Sequence, residues 1–152
     1  VQKASGESGE LSAIDSNGDG LDLSDSKVVV KENEITNFLD KGFSIGEKTY
    51  AIVSKNTFKN NRSAITAKDA SNVYILDNVY VENAIDLEMY QKKLFFEHPS
   101  VFSLATSNAD LTIRKTVASK FFKPKKEIDL PTADLLPSDF EKLAEKQWIE
   151  YE

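Results

Sequence analysis

Lys41 and Lys68 stand among Asp19, Asp22, Asp25, Asp40, Glu47 and Asp69, and the intervals between these residues follow one alternating pattern. Leu21-Asp22-Leu23-Ser24, Phe43-Ser44-Ile45-Gly46, Ile65-Thr66-Ala67-Lys68 and Ile85-Asp86-Leu87-Glu88 each alternate apolar with polar or small residues. In an extended strand successive side chains leave opposite faces. If Leu21 and Leu23 enter a core, Asp22, Ser24, Ser44, Thr66, Lys68, Asp86 and Glu88 therefore point outward on one face. Asp19, Asp25, Lys41, Glu47 and Asp69 flank that face at its corners. Such a surface can hydrogen-bond and ion-pair with a hydroxyl-rich ligand. It can also supply a lysine as general base, provided burial or a metal offsets the carboxylates, which favour the charged ammonium. The plainer role for Lys41 and Lys68 is salt bridging between neighbouring strands.

Asp15-Ser16-Asn17-Gly18-Asp19-Gly20 has the opening of a helix-loop-helix calcium loop. The closing bidentate glutamate of such loops falls on Ser26 here, and the segment leads into a strand pattern instead of a helix. Calcium therefore has only corner carboxylates to use, Asp19 and Asp22. The alternative is a glycine-rich turn with no ion. His98, the single histidine, lies beside Pro99 with no second histidine for a metal pair.

The elements that must position these residues form an internal repeat. The four alternating pieces start at Leu21, Phe43, Ile65 and Ile85, a nearly constant interval, with Gly20, Gly42, Ala64 and Ala84 just before them. Val28-Val30, Ala51-Val53 and Val73-Ile75 precede Asn33, Asn56 and Asn78, and Ile35, Phe58 and Tyr80 follow each asparagine by two. Three short strands per repeat, with period-two alternation, predict a coil that stacks on its neighbours as a parallel β-helix. Inward residues of successive coils then lie roughly 4.8 Å apart in columns, one of them Leu21, Phe43, Ile65 and Ile85. A corner column of asparagines can hydrogen-bond along the axis and tolerates left-handed backbone. A leucine-rich-repeat solenoid is disfavoured because the recurrent leucine framework is missing.

Asp40-Lys41-Gly42-Phe43-Ser44-Ile45-Gly46-Glu47-Lys48, Ala64-Ile65-Thr66-Ala67-Lys68-Asp69-Ala70-Ser71 and Tyr90-Gln91-Lys92-Lys93 resemble a right-handed parallel β-helix segment of bacterial and archaeal surface or secreted proteins. That segment often accompanies a spore-coat-kinase-like region. Gly18-Asp19-Gly20-Leu21-Asp22-Leu23-Ser24 matches its first coil, so the resemblance spans about residues 15 to 95. It implies the pectate-lyase-like superfamily, whose members mostly bind, cleave or epimerise polysaccharides, and a secreted or cell-surface setting. The matching motifs converge on Asp22, Asp40, Lys41, Ser44, Glu47, Thr66, Lys68, Asp69, Gln91 and Lys92 as candidate ligand-binding residues. Fold likeness does not decide an activity.

The 152 residues, 40% hydrophobic, suit one domain with a narrow core. A net charge of −6 argues against general nucleic-acid binding. The absence of cysteine excludes disulfides and thiolate chemistry. No apolar run approaches the roughly 20 residues that span a bilayer. The Val1-Gln2-Lys3 start lacks a secretory apolar region, as in a mature chain or excised piece. Residues 1–13 predict a flexible lead-in, 14–118 the β-helix of about four to five coils, and 119–152 a connector with a C-terminal amphipathic helix. Leu94-Phe95-Phe96, Val101–Leu104 and Leu111–Ile113 read as strands of looser final coils. The helix is predicted over about Ser138–Tyr151, with a Ser138/Glu141 capping box and Phe140, Leu143, Ala144 and Trp148 on one face. It either covers an open end of the solenoid or packs along its side.

Three functions fit this reading. The first is a non-catalytic carbohydrate-binding or adhesion module of a larger protein, taking a polysaccharide or glycan, with Tyr50, Tyr74, Tyr80 and Tyr90 as candidate stacking surfaces. The second is a calcium-dependent polysaccharide lyase or epimerase with Lys68 or Lys41 as base and Asp22, Asp40 and Asp69 as metal-side acids. Short length and the presence of only two arginines, Arg62 and Arg114, count against it. The third is a structural spacer.

Overall fold

The computed structural model describes residues 9–12, 18–104, 111–125 and 135–151, and only the backbone of 9–12. The strands are β1 (Gly9–Ser12), β2 (Leu21–Ser24), β3 (Lys27–Lys31), β4 (Asn33–Thr36), β5 (Lys41–Gly46), β6 (Tyr50–Ser54), β7 (Thr57–Lys59), β8 (Ser63–Lys68), β9 (Asn72–Leu76), β10 (Val79–Val81), β11 (Ile85–Tyr90), β12 (Ser100–Ser103), β13 (Ile113–Lys115), β14 (Lys120–Pro124) and β15 (Trp148–Tyr151). They form three sheets in the orders β1-β4-β7-β10, β13-β11-β8-β5-β2 and β15-β14-β12-β9-β6-β3. Every pairing is parallel except β14 with β15. Each strand thus pairs with its counterpart one coil away, and the chain is a parallel β-helix of about four turns.

The core is built from columns. Leu23, Ile45, Ala67 and Met89 are in register, as are Val28, Ala51, Val73, Val101 and Phe121, and all nine are buried. Phe58 stands between Ile35 and Tyr80 in a third column and stacks on Tyr80 at 5.6 Å. The fourth column differs from prediction: Leu21, Phe43 and Ile65 are followed by Leu87, while Ile85 pairs with Ser63. The step from Phe43 to Ile65 therefore continues unchanged to Leu87, and Asp86, not Ala84, follows Gly42 and Ala64. Glycine is required at 42 because a Cβ there would sit 2.7 Å from the Ala64 carbonyl oxygen.

Asparagine ladders close two corners. Asn56 Oδ1 accepts from the Asn33 amide and side chain, and Asn78 Oδ1 accepts the same pair from Asn56. The left-handed residue is the one before each asparagine, Glu32, Lys55 or Asp77, and not the asparagine as predicted. A second ladder went unpredicted: Asn83 Oδ1 takes both donors of Asn61, whose Oδ1 takes the Phe38 amide.

Both ends depart from expectation. Gly9–Ser12, inside the predicted lead-in, pairs with β4, and β14, inside the predicted connector, continues the third sheet. Leu94–Phe96 belongs to a turn, not a strand. The long C-terminal helix is replaced by a 3-10 turn at Pro137–Asp139, a short helix α1 (Phe140–Ala144) and β15. The cap is not a Ser138/Glu141 box, because the Leu136 amide donates to Asp139 Oδ2 at 2.7 Å. Ala144 is exposed.

This C-terminal segment packs along the side of the solenoid. The outward column of the third sheet is apolar, Val29, Ile52, Tyr74, Phe102 and Phe122. Leu135, Phe140, Leu143 and Trp148 cover it. Apolar burial against that column, not helix propensity, fixes where the segment lies.

Candidate functional site

The outer face of β2, β5, β8, β11 and β13 carries the predicted polar residues other than Asp86, which is buried at the corner position of Gly42 and Ala64. Its central row is Asp22, Ser44, Thr66, Glu88 and Arg114, one residue per coil. Beside it Ser24 lies next to Gly46 and Lys68 next to Tyr90. Lys68 Cε comes within 3.4 Å of where a Gly46 Cβ would stand, so the glycine makes room for the lysine chain to lie across its own coil and the one before it.

The face is outward as predicted, but its hydroxyls are not open to solvent. Ser44 and Thr66 are fully buried, Glu88 is nearly so, and Asp22 is exposed. The longer side chains of Lys41, Arg62, Lys68 and Tyr90 stand around the row. Thr66 Oγ1 shares a hydrogen bond with Ser63 Oγ at 2.8 Å. Ser44 Oγ has no hydrogen-bond partner among the described residues. A buried hydroxyl left unpaired costs about 1–3 kcal/mol.

Three cations of this face stand in ion pairs. Lys41 Nζ lies 2.7 Å from Asp40 Oδ2 and 3.6 Å from Asp19 Oδ1. Arg62 Nη2 lies 2.7 Å from Glu88 Oε1 and 3.5 Å from Asp40 Oδ1, and Arg114 approaches Glu88 Oε2 at 4.0 Å. Burial alone lowers the proton affinity of Lys41, but the Asp40 hydrogen bond and the Asp19 charge outweigh it and hold the ammonium above its usual range. Burial likewise raises Asp40, but its Lys41 hydrogen bond and the Lys41 and Arg62 charges bring it below the carboxylate range. For Asp19 burial prevails over Lys41, and the carboxyl is raised. Sequence reasoning did not place Arg62 in the site. The signal was its offset from Asp40, which equals the offset between Phe43 and Ile65 one coil apart.

Lys68 is different. Its ammonium has no salt bridge or hydrogen bond among the described residues. Burial, followed by the like charges of Lys41 and Lys92, lowers its proton affinity, and the weaker pull of Asp22 and Asp19 does not compensate. Burial also raises the Tyr90 hydroxyl, keeping it protonated. An amine of lowered proton affinity next to a protonated phenol can pair with an anion or exchange a proton.

The remaining predicted residues lie at the corner just past Lys68. Asp69 is buried and accepts the amides of Lys92 and Lys93 at 2.7 and 2.9 Å. Glu47 pairs with Lys93, and the Gln91 side chain donates to the Leu94 and Phe96 carbonyls. These groups hold a loop and do not join the central row. Asp86 accepts from the Asn83 side chain and the Thr112 amide. Among the predicted stacking tyrosines, Tyr90 lies on this face; Tyr74 is buried against Phe102 and Phe140, Tyr80 packs on the core, and Tyr50 lies edge-on to Phe140. Among the described residues no group of three or more carboxylates or histidines is placed to hold a metal, and Asp15 and Asn17 lie outside them. His98 hydrogen-bonds Thr116 Oγ1 at 3.1 Å.

A family model described as the right handed beta helix region matches residues 5–119. No curated protein and no solved structure matches the chain.

Proposed function

The chain belongs to the family of right-handed β-helix regions, and on that footing we propose that it is a non-catalytic module that binds an acidic polysaccharide on the outer face of β2, β5, β8 and β11. The observation that carries this reading is Lys68: a half-buried ammonium with no ion-pair partner among the described residues, beside Lys41, Lys92 and Tyr90 on a rigid sheet. A uronate carboxylate would supply the missing counter-charge. Charge-assisted hydrogen bonds of this kind are about twice as strong as neutral ones. In this reading Asp22 and the Tyr90 hydroxyl would take sugar hydroxyls. Repetition of the coil gives the face a length along the axis that suits an extended polymer better than a small solute. A secreted or cell-surface setting within a larger protein, and kinship with the pectate-lyase-like superfamily, go with this proposal.

The test is calorimetric titration of the chain with uronic-acid oligosaccharides and with neutral glucans, with and without calcium. Binding of the acidic oligomers that is sharply weakened in Lys68→Met, whose melting temperature does not fall, supports the reading. Equal binding of neutral glucans, or none of either, overturns it.

The lowered proton affinity of Lys68 favours one second reading, a lyase. Its neutral amine would remove the proton α to the uronate carboxyl, the freed electron pair forming a C=C bond as the neighbouring glycosidic oxygen leaves and takes a proton from Tyr90. Release of an unsaturated product absorbing in the near ultraviolet decides for that reading, and Lys68→Met would then bind without turnover.

A further inference from the structure

The repeat is interrupted once beside the candidate site. Tyr50 pairs with Asn72, and Asn72 in turn pairs with Ser100. The second interval is longer than the first, and its extra residues enlarge the loop at 91–97. That loop is firmly held. Asp69 receives two of its amides, Glu47 pairs with Lys93, Gln91 donates to its Leu94 and Phe96 carbonyls, and Glu97 accepts the Ala70 amide at 2.6 Å. Lys48 lies 5.8 Å from the centre of the Phe96 ring. Yet its tip is apolar and open: Leu94 is 88% and Phe95 82% exposed. Large side chains on an ordered backbone in water are unfavourable unless something covers them.

We propose that this loop is the apolar half of the glycan site, with Phe95 as a platform for a pyranose ring and Leu94 beside it. The inference rests on the acidic-polysaccharide reading and adds the residue that grips the sugar's uncharged face. What selects this occupant is continuity. The loop is anchored by Asp69 and Glu47, the residues that directly follow Lys68 and Gly46 in the chain, and its Lys92 is close enough to Lys68 to lower that lysine's proton affinity. A pyranose presents C–H groups on one face and hydroxyls or a carboxylate on its rim, so an aromatic ring on the loop that carries Lys92, together with the Lys68 ammonium on the strand that leads to the loop's anchor Asp69, matches both. Burial of one ring face against an aromatic side chain is an apolar contact, and its contribution does not depend on salt.

The experiment is titration of the wild-type chain, Phe95→Ala, Phe95→Trp and Lys68→Met with a galacturonate hexamer at low and high salt. Phe95→Ala is expected to weaken binding about tenfold at both salt levels, as removal of one aromatic contact does, with an unchanged melting temperature. Phe95→Trp is expected to retain binding, and its indole emission to shift to the blue on adding the hexamer. Lys68→Met is expected to remove most of the salt dependence. Phe95→Ala that binds like wild type overturns the platform while leaving the polysaccharide reading standing. Wild-type chain that fails to bind the hexamer overturns both. Sedimentation as a dimer, or binding to anionic phosphatidylserine vesicles, that Phe95→Ala abolishes would assign the tip to a second copy or a lipid surface and overturn the proposal.

Discussion

Arg62 and Lys68 show how two cations on one sheet face can have opposite roles. Arg62 satisfies a nearly buried Glu88 at 2.7 Å and also leans on Asp40. Arg62→Gln leaves Glu88 without its principal partner and should lower stability by about 1–2 kcal/mol, read from the chemical-denaturation midpoint. Adding Glu88→Gln should recover much of that loss. Lys68 has no such partner among the described residues, and its pH signature follows from its lowered proton affinity. In the window between its folded value and the unfolded value of 10.5 the unfolded chain binds more protons, so its contribution to stability rises with pH there. Lys41, whose affinity is raised, contributes below 10.5 and loses that contribution as pH climbs through its folded value. Lys68→Met should therefore gain stability over wild type most clearly at neutral pH, with the gap closing toward alkaline pH. A gap that widens there would mean that Lys68 is ion-paired after all. The alternation of Leu21, Leu23, Phe43 and Ile45 made the direction of these side chains legible in the sequence. It could not show that Ser44 and Thr66 would be covered, because cover comes from long side chains on neighbouring coils.

At the scale of elements, corners hold the coils in register as much as strands do. Asn56 is fully buried, accepts two donors from Asn33, and donates to the Val30 carbonyl and to Asn78. Asn56→Ala should cost about 3 kcal/mol, the loss of several buried hydrogen bonds with their partners left unpaired. Thermal melting checks it, and a loss comparable to a surface substitution would remove the ladder from the account. This ladder was legible because Asn33, Asn56 and Asn78 share one spacing with their apolar neighbours. The second was not, because its first rung is the Phe38 backbone amide and not an asparagine. The C-terminal segment was misread for a related reason: Phe140, Leu143 and Trp148 have helical spacing, but the chain leaves the helix after Ala144. Trp148 then arrives on a strand paired with β14, its indole N–H donating to the Leu143 carbonyl at 3.1 Å. Two elements covering one apolar column leave the same spacing as one helix would.

Across the whole molecule one recurring step along the chain produces three sheets, and the outer face of β2, β5, β8 and β11 gathers cations, carboxylates and a tyrosine around a buried row. The β-helix was legible because strict stacking imposes column chemistry on the sequence. Ile85 was misaligned because Ile85 and Leu87 fit the same alternation, and only the register with Ile65 separates them; the loop at 91–97 was harder to read, since an insertion shifts every later residue without altering its local alternation. Among the described residues no helix is long and apolar enough to cross a membrane. The measurement that bears most directly on the polysaccharide reading is a map of backbone amide shifts by NMR as a galacturonate hexamer is added. Perturbations should cluster on Asp22, Lys41, Lys68, Tyr90 and the loop at 91–97, leaving β4, β7 and β10 unmoved. Shifts concentrated on β4, β7 and β10, or no shifts at saturating hexamer, would contradict it.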